Sequence, residues 1–238
     1  MFGFGSSCVK TFTEPSKLRL ACRSGEFAGQ TSGQASGFAQ ANLCILPKEY
    51  AYDFLLYCTR NPKPCPLLHV LDEGEFTFGI WGKKIDIRTD LPRYRIFKDG
   101  ELLKEVTSLK DLPESLLNDL QSPSSSSSAL ASVDDLSSVD TEIDEPNPIQ
   151  SVATATITTD SSNNTKLFQD STTLWRNDFV TFVIGCSFSF EEALLRSGIP
   201  VRNIEQSKNV PMYRTNIPTD KAGLFSGPLV VSMRPMSH

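Results

Sequence analysis

Residues whose types could do chemistry follow directly after a glycine that ends an apolar run. Residues 179–184 are all apolar, β-branched or aromatic, so they predict a buried strand that Gly185 ends. Ser189 is followed three positions later by Glu192, which predicts a capping box and the start of a helix. Gly198 is typical of the residue just beyond such a helix. The chain therefore passes from a strand into a helix N-terminus with only a short turn between them.

Three residues with reactive or hydrogen-bonding side chains, Cys186, Ser187 and Ser189, fall at this turn. The first N–H groups of a helix have no partner inside the helix, and the helix dipole is positive at that end. The turn is therefore suited either to bind a carboxylate or to lower the pKa of the Cys186 thiol.

Charge and composition exclude several classes of function. The 238 residues carry a net charge of -5 with a pI near 5.2, which gives no reason to expect nucleic-acid binding. No apolar run approaches the roughly 20 residues that span a bilayer, so we expect no membrane contact. Seven acids and no basic residues lie in 122–165, so the remainder has a net charge of +2. A slightly basic remainder suits a small anionic ligand.

The six cysteines have irregular spacing and include no CxxC pair, and the chain has only two histidines. We therefore expect no metal site and no cofactor. Buried, reduced cysteines are typical of an intracellular protein, here cytoplasmic or mitochondrial. The first fifteen residues contain no apolar segment like that of a secretory signal peptide.

Apolar periodicity and turn residues predict an α/β fold. A leader occupies 1–15. The elements predicted after it are a helix at 16–26 with Leu18, Ala21 and Cys22 inward, a buried strand at 38–47, a helix at 48–60, a proline-locked corner at 61–66, short strands from 67 to 97, a turn at 99–100, a strand at 101–106 and a helical turn at 111–119.

The composition changes sharply between residues 122 and 165. This segment has twelve serines and no aromatic residue, so it cannot bury enough apolar surface to offset the entropy of ordering it. We expect a disordered insert that leaves from a surface loop. The insert would divide the α/β region into a first part at 16–121 and a C-terminally short second part at 166–238.

A segment near the end of the sequence is typical of a pocket wall. Residues 209–216 are polar and basic but interleaved with valine, methionine and tyrosine. Residues 229–235 predict a final buried strand that ends at Arg234.

Several blocks of the sequence together resemble the D-glutamate cyclase family, the YcsI-like hydro-lyases. The resemblance covers 17–113 and 173–235, and several blocks in family order are more specific than any single motif. The blocks are Ala-Cys-Arg-Ser-Gly at 21–25, Gln-Ala-Asn-Leu at 40–43, Arg-Asn-Pro-Lys-Pro-Cys-Pro-Leu-Leu at 60–68, Asp-Ile-Arg-Thr-Asp-Leu-Pro-Arg-Tyr at 86–94, Ile-Gly-Cys-Ser-Phe-Ser-Phe-Glu at 184–191, Asn-Val-Pro-Met-Tyr at 209–213 and Val-Val-Ser-Met-Arg-Pro at 230–235.

The resemblance implies two mixed α/β subdomains and a reaction on a small amino acid. The amine of D-glutamate would attack its own γ-carboxyl group, releasing water and forming 5-oxo-D-proline, or the reverse. The chain departs from the family in its serine-rich insert, in Arg202-Asn203 where the family often has Arg-His, and in lacking the segment that usually follows residue 235. An incomplete pocket would leave the chain inactive.

This chemistry needs a carboxylate clamp, donors for an oxyanion, and an acid or base. Arg202, Arg214 and Arg234 are candidate clamps, with Asn42 and Asn216 as further substrate-binding residues. The N–H groups and hydroxyls around Ser187 and Ser189 are candidate oxyanion donors. The candidate acids, bases or nucleophiles are Glu191, Asp86, Asp90, Tyr213 and Cys186.

Each of these candidates also has a purely structural interpretation. Glu191 at the start of a helix would favour the helix dipole, and Cys186 would be a small buried residue. Asp86 and Asp90 would pair with Arg88 and Arg93, and Tyr213 would be a packed wall.

The sequence leaves two other functions open. One is a hydro-lyase that acts on another small amino or hydroxy acid. The other is a catalytically inactive binding protein of the same fold. For any of the three we expect a small-molecule amino-acid partner, and the sequence leaves homo-oligomer formation open.

Overall fold

Twelve helices and strands are seen in a computed structural model that describes residues 11–29, 31, 34–78, 85–98, 101–110, 154–159, 174–206, 208 and 210–236. The helices are α1 (Pro15–Arg23), α2 (Lys48–Arg60), α3 (Phe188–Arg196) and α4 (Arg202–Glu205). The strands are β1 (Ala41–Pro47), β2 (Leu67–Val70), β3 (Arg93–Lys98), β4 (Glu101–Val106), β5 (Thr154–Thr159), β6 (Phe179–Gly185), β7 (Met212–Pro218) and β8 (Pro228–Ser232).

Six of the strands form one mixed sheet, so the predicted α/β class is confirmed. Its strand order is β2-β6-β1-β5-β3-β4. β5 runs parallel to both β1 and β3, and the other neighbouring pairs are antiparallel. β6, which follows the predicted insert, lies between β2 and β1, so the chain on both sides of the insert contributes to this sheet. β7 and β8 form a second, two-stranded antiparallel sheet.

The predicted disordered insert is too wide, because residues 154–159 form β5 in the middle of the large sheet. The sequence there is Thr-Ala-Thr-Ile-Thr-Thr, in which β-branched residues favour a strand. The serines and acids around it dominate the average composition of the segment and hide this short signal. The remainder of the predicted insert, the leader before residue 11, the turn at 99–100 and the helical turn at 111–119 lie outside the described residues.

The two faces of the sheet carry separate apolar cores because side chains alternate along each strand. On one face, Leu43 and Ile45 of β1 pack with Phe179 and Val183 of β6. On the other face, residues of the same strands pack against Phe54 and Cys58 of α2. The predicted bounds of α2 are confirmed. Phe54 and Cys58 lie four positions apart, so both face this core from one side of the helix.

The helix α1 forms a smaller core of its own. Leu18, Ala21 and Cys22 are buried, as predicted, and pack with Phe27. The helix ends at Arg23, three residues before the predicted end, and is followed by Gly25 with a φ of 75°.

The two-stranded sheet is joined to the end of α2 by hydrogen bonds. The side chain of Asn61 donates to the backbone oxygen of Asp220, 2.8 Å away, and accepts from the Asp220 N–H at 2.9 Å. Tyr57 donates to the Thr219 hydroxyl at 3.0 Å, and Phe225 packs on the ring of Phe54 with centroids 5.0 Å apart. These contacts fix the position of β7 and β8 beside α2.

The prediction that the final strand is buried is wrong. Val230 in the middle of β8 is 44% exposed, because among the described residues β8 pairs only with β7 and none of the three cores includes it. No helix among the described residues is long and apolar enough to cross a membrane.

Candidate functional site

The helix α3 begins two residues earlier than the sequence predicts, and its predicted capping box is absent. Ser187, not Ser189, occupies the N-cap position and makes no side-chain cap. The Ser189 hydroxyl instead accepts a hydrogen bond of 3.1 Å from the N–H of Gln40, just before β1. Glu192 accepts from the Gly37 N–H at 2.8 Å and from the Ser36 hydroxyl. Both side chains bind the loop before β1, so they are not available to cap the helix.

The predicted end of α3 at Gly198 is confirmed. Gly198 has a φ of 73° and its N–H donates to the Leu195 carbonyl at 3.0 Å. The N–H of Ile199 donates to the Leu194 carbonyl at 3.0 Å. This pair of bonds is a Schellman motif, which satisfies the last carbonyls of the helix.

The Cys186 thiol lies at the N-terminus of α3 but is not activated there. Its S–H donates to the Gln40 carbonyl, 3.5 Å away, and its sulfur accepts from the backbone N–H groups of Phe188 and Ser189. Burial raises the pKa of Cys186, and these two hydrogen bonds and Arg234 only partly offset it. The prediction of a lowered thiol pKa is therefore wrong. The N–H groups of Phe188 and Ser189, predicted as oxyanion donors, already hydrogen-bond to the sulfur.

Two candidates from distant parts of the sequence, Glu191 and Arg234, form a buried ion pair. Their side chains are 11% and 5% exposed, respectively. Arg234 also donates to the Ser187 hydroxyl at 3.0 Å, and that hydroxyl lies 3.3 Å from the hydroxyl of Ser232 on β8. The guanidinium carbon of Arg234 lies 5.5 Å from the centre of the Phe188 ring, a cation–π contact. We call Ser187, Glu191, Ser232 and Arg234 the Arg234 cluster.

The Arg234 cluster borders a cleft of about 960 Å³ between the large sheet and β8. Its walls are the start of β1, the corner at 63–66, the turn that follows β6, and residues 229–232. Asn42, Cys186, Ser187 and Ser232 line it directly, so three of the predicted site residues share one cavity. A cleft of this size accommodates a small polar substrate.

Two of the predicted acids lie elsewhere in the structure and are ion-paired. Asp90 is buried and is held by Arg23, whose Nε and Nη2 lie 2.8 Å from the two carboxylate oxygens. Asp86 pairs with Arg88 at 2.9 Å, as the structural interpretation predicts, and also with Lys110 at 2.7 Å. Neither aspartate lines the cleft beside the Arg234 cluster.

Four further candidates are exposed and do not line this cleft. Arg202 on α4 is 58% exposed and forms a long ion pair with Glu205, 3.6 Å apart. Tyr213, Arg214 and Asn216 lie on β7 with exposed side chains.

Three residues of the site were missed by sequence reasoning. Ser232 and Lys63 line the cleft, and Lys63 forms no ion pair with the described residues. The amide of Gln40 donates to the carbonyls of Thr31 and Gln34, which holds the loop before β1. The sequence did contain a signal that Lys63 has a fixed position, because Pro62 and Pro64 restrict the backbone on either side of it.

Comparisons with known proteins find one family model and several relatives that match this chain. The family model described as D-glutamate cyclase matches residues 180–238, which span most of β6, α3, β7, β8 and Arg234. A protein of Stutzerimonas stutzeri named "Putative hydro-lyase" is 45% identical over 222 residues, which are 93% of this chain and 60% of that protein. Similar proteins of Staphylococcus haemolyticus and Bordetella petrii, also named as hydro-lyases of this kind, are 41% and 42% identical over 94% and 92% of this chain.

The chain is similar over most of its length to these relatives, and its residues 180–238 match the D-glutamate cyclase family. It spans about three fifths of the length of these curated relatives, 62% of the Staphylococcus haemolyticus protein and 60% of the Bordetella petrii protein.

Proposed function

We propose that this chain is a hydro-lyase of the D-glutamate cyclase type, which interconverts D-glutamate with 5-oxo-D-proline and water. The names of its relatives support a hydro-lyase, and the family description supports this substrate. The observation that carries the proposal is the Arg234 cluster, in which a buried cation is bonded to a serine hydroxyl on the wall of a cleft.

The Ser187 hydroxyl is the group we assign to the developing oxyanion. It accepts a hydrogen bond from Arg234, so its own proton is left to donate to another oxygen. Bonding to a charged donor polarises the hydroxyl and makes its proton a better hydrogen-bond donor. In the structure that oxygen is the hydroxyl of Ser232; a substrate oxyanion would take its place.

Ring closure proceeds by attack of the substrate amine on its γ-carboxyl carbon. A C–N bond forms and the tetrahedral intermediate carries its negative charge on oxygen. The substrate nitrogen gives up two protons as it changes from ammonium to amide, and the departing oxygen takes up both, so that the C–O bond breaks and water leaves. Ser187 and Ser232 stabilise the oxyanion, and Glu191 keeps Arg234 in position to polarise Ser187. Lys63, which also lines the cleft, supplies a cation for the α-carboxylate.

The test is to incubate the purified chain with D-glutamate and, separately, with 5-oxo-D-proline, and to follow both by chiral chromatography. We expect interconversion, and a loss of roughly 100-fold or more in kcat for Ser187→Ala, as for removal of one oxyanion donor. Ser197→Ala is the matched control, because that serine lies just beyond α3 and bonds only the Ala193 carbonyl there.

Two results would contradict the proposal. Equal activity of Ser187→Ala and Ser197→Ala would show that Ser187 takes no part in the reaction. Absence of turnover together with a thermal shift by either compound would instead identify a binding protein of the same fold.

A further inference from the structure

The proline-locked corner holds a cysteine at the edge of the cleft. Cys65 lies between Pro64 and Pro66, and its N–H donates to the Asn61 carbonyl at 3.0 Å, directly beyond the end of α2. Cys65 is only partly buried and lines the same cleft as Ser187. Its position is therefore fixed by the backbone, and the residue lies on the wall of the cleft.

A second cysteine lies behind it. Cys58 is 1% exposed in the core beneath α2, and its thiol hydrogen-bonds to the Cys65 sulfur. Cys44 of β1 belongs to the same cluster of apolar side chains. The corner thus pairs one accessible thiol with one buried thiol in direct contact.

The hydrogen bond makes the two thiols unequal. It lowers the pKa of Cys65 to about 7, against the opposing effect of burial, and raises that of Cys58. Burial, with a smaller contribution from Cys65, raises the pKa of Cys44 to about 12. Cys65 is therefore the most readily ionised of the three thiols.

We propose that Cys65 and Cys58 form a peroxide-sensitive dithiol, with Cys65 as the attacking thiolate and Cys58 as the resolving thiol. The Cys65 sulfur attacks one peroxide oxygen, the O–O bond breaks, and hydroxide leaves, so that Cys65 becomes a sulfenic acid. The Cys58 sulfur then attacks the Cys65 sulfur and the S–O bond breaks. The departing hydroxyl takes up the Cys58 proton and leaves as water. Two thiols are oxidised to one disulfide, and one peroxide is reduced to two waters. This site is independent of the proposed lyase chemistry.

The first test measures alkylation of the full-length, reduced chain with iodoacetamide at pH 7, followed residue by residue by mass spectrometry. We expect Cys65 to react about three- to fivefold faster than a thiol of ordinary pKa, since its larger thiolate fraction outweighs its lower nucleophilicity. Its rate should level off above about pH 8. A Cys65 rate no higher than that of Cys186 would overturn the proposal.

The second test treats the chain with one equivalent of hydrogen peroxide, blocks free thiols with N-ethylmaleimide and maps tryptic peptides without reduction. Trypsin cuts after Arg60, between the two cysteines, so a disulfide joins two separate peptides. We expect the Cys58–Cys65 pair as the main product, lost in Cys65→Ser and kept in Cys22→Ser, because Cys22 lies in the separate α1 core.

Removal of the resolving thiol distinguishes the two roles. In Cys58→Ala, we expect peroxide to leave Cys65 as a sulfenic acid that dimedone traps. Should that core variant fail to fold, the mapping of the unmodified chain still decides the matter: a main product without the Cys58–Cys65 link overturns the proposal.

Discussion

At the scale of single residues, the most consequential contact is the ion pair between Glu191 and Arg234. Removing two charged side chains from water costs free energy. Their mutual attraction offsets this desolvation cost only when each charge also has further hydrogen-bond partners. Here Arg234 also bonds Ser187 and lies against the ring of Phe188. The pair therefore couples the first turn of α3 to the residues after β8, and loss of either charge leaves the other buried and unpaired.

Arg234→Ala should accordingly lower the free energy of unfolding by about 3–5 kcal/mol, the range for breaking a buried pair. The matched control is Arg202→Ala, whose exposed pair with Glu205 should contribute about 1 kcal/mol or less. Urea unfolding of both variants measures the difference. The double variant Glu191→Leu/Arg234→Met should recover much of the loss, and a double variant as unstable as Arg234→Ala would contradict this explanation.

The carboxyl of Asp86 gives the fold a dependence on acid. Burial alone would raise the pKa of Asp86, but hydrogen bonds from Arg88 and Lys110 outweigh it and lower that pKa to about 2. Because the folded-state pKa lies below the unfolded value of about 3.9, the stabilisation is complete above that value and is lost as pH falls towards 2.

Asp86→Asn should therefore remove about 1–2 kcal/mol of this acid-sensitive stability, after allowance for solvent screening of a partly exposed group. The measurement is the free energy of unfolding of both proteins between pH 6 and pH 2. The gap between the two free energies should begin to narrow as pH falls below 4 and should close near pH 2. Glu14→Gln, at an exposed pair with Lys17, is the control, and an equal narrowing there would count against a specific role of Asp86.

At the scale of elements, the chain turns tightly at Gly74, four residues after β2 and beside the start of β6. Its φ is 76°, its N–H donates to the Phe179 carbonyl at 2.8 Å, and its carbonyl accepts from the Trp175 indole at 3.3 Å. A Cβ on Gly74 would lie 2.8 Å from the carbonyl oxygen of Asn177, which belongs to the backbone and cannot swing away. This turn thus requires glycine for two reasons, its conformation and its close approach to another segment.

Gly74→Ala should destabilise the protein by about 1–3 kcal/mol more than Gly198→Ala. Gly198 has nearly the same φ, 73°, but no atom lies within 4 Å of the position of an added Cβ. The difference between the two variants in thermal or urea unfolding therefore isolates the steric clash. Equal destabilisation would mean that the segment at Asn177 moves aside.

Much of the element pattern was predictable because local signals and tertiary contacts agree there. α2 was predicted with its observed bounds, and β6 was predicted from its apolar composition. The capping box failed because Ser189 and Glu192 bind Gln40 and Gly37, which lie about 150 residues earlier in the chain. Local sequence carries no information on such a distant competitor for a hydrogen bond.

At the scale of the whole molecule, one asparagine helps to fix the small sheet beside the end of α2, which packs on the large sheet. Asn61 is 7% exposed, and its amide bonds both the N–H and the carbonyl of Asp220. β8, which this contact helps to position, supplies Ser232 to the candidate site. The geometry of the cleft therefore depends on a residue that does not line it.

Asn61→Ala should lower the free energy of unfolding by about 1–3 kcal/mol, because the backbone groups of Asp220 lose their partner. It should also increase amide hydrogen exchange in β7 and β8 relative to β1 and β6. Thr59→Ala, at an exposed hydroxyl bonded only to the Leu55 carbonyl, is the control. Unchanged exchange in β7 and β8 would show that Phe225 and Tyr57 suffice to hold the sheet.

The assembly of the candidate site could be predicted only in part. Ser187, Cys186 and Asn42 were predicted as site residues and share the cleft, while their roles stay predictions. The partnership of Glu191 with Arg234 and the contribution of Ser232 depend on how β8 folds back onto α3. The clamp residues Arg202 and Arg214 were chosen for their charge alone, and charge does not determine which way an exposed side chain faces.

The position of β1 in the large sheet has a consequence for the order of events during synthesis. β1 ends at residue 47, but its two neighbours are β5, which begins at 154, and β6, which begins at 179. At the usual 5–20 residues per second, β1 is complete roughly 7 to 26 seconds before β6 starts to be made. At least one edge of this apolar strand lacks its partner for that whole interval, and pairing across so many residues is intrinsically slow. The nascent chain is therefore most exposed to aggregation, and most in need of a chaperone, before a single residue of β6 has left the ribosome.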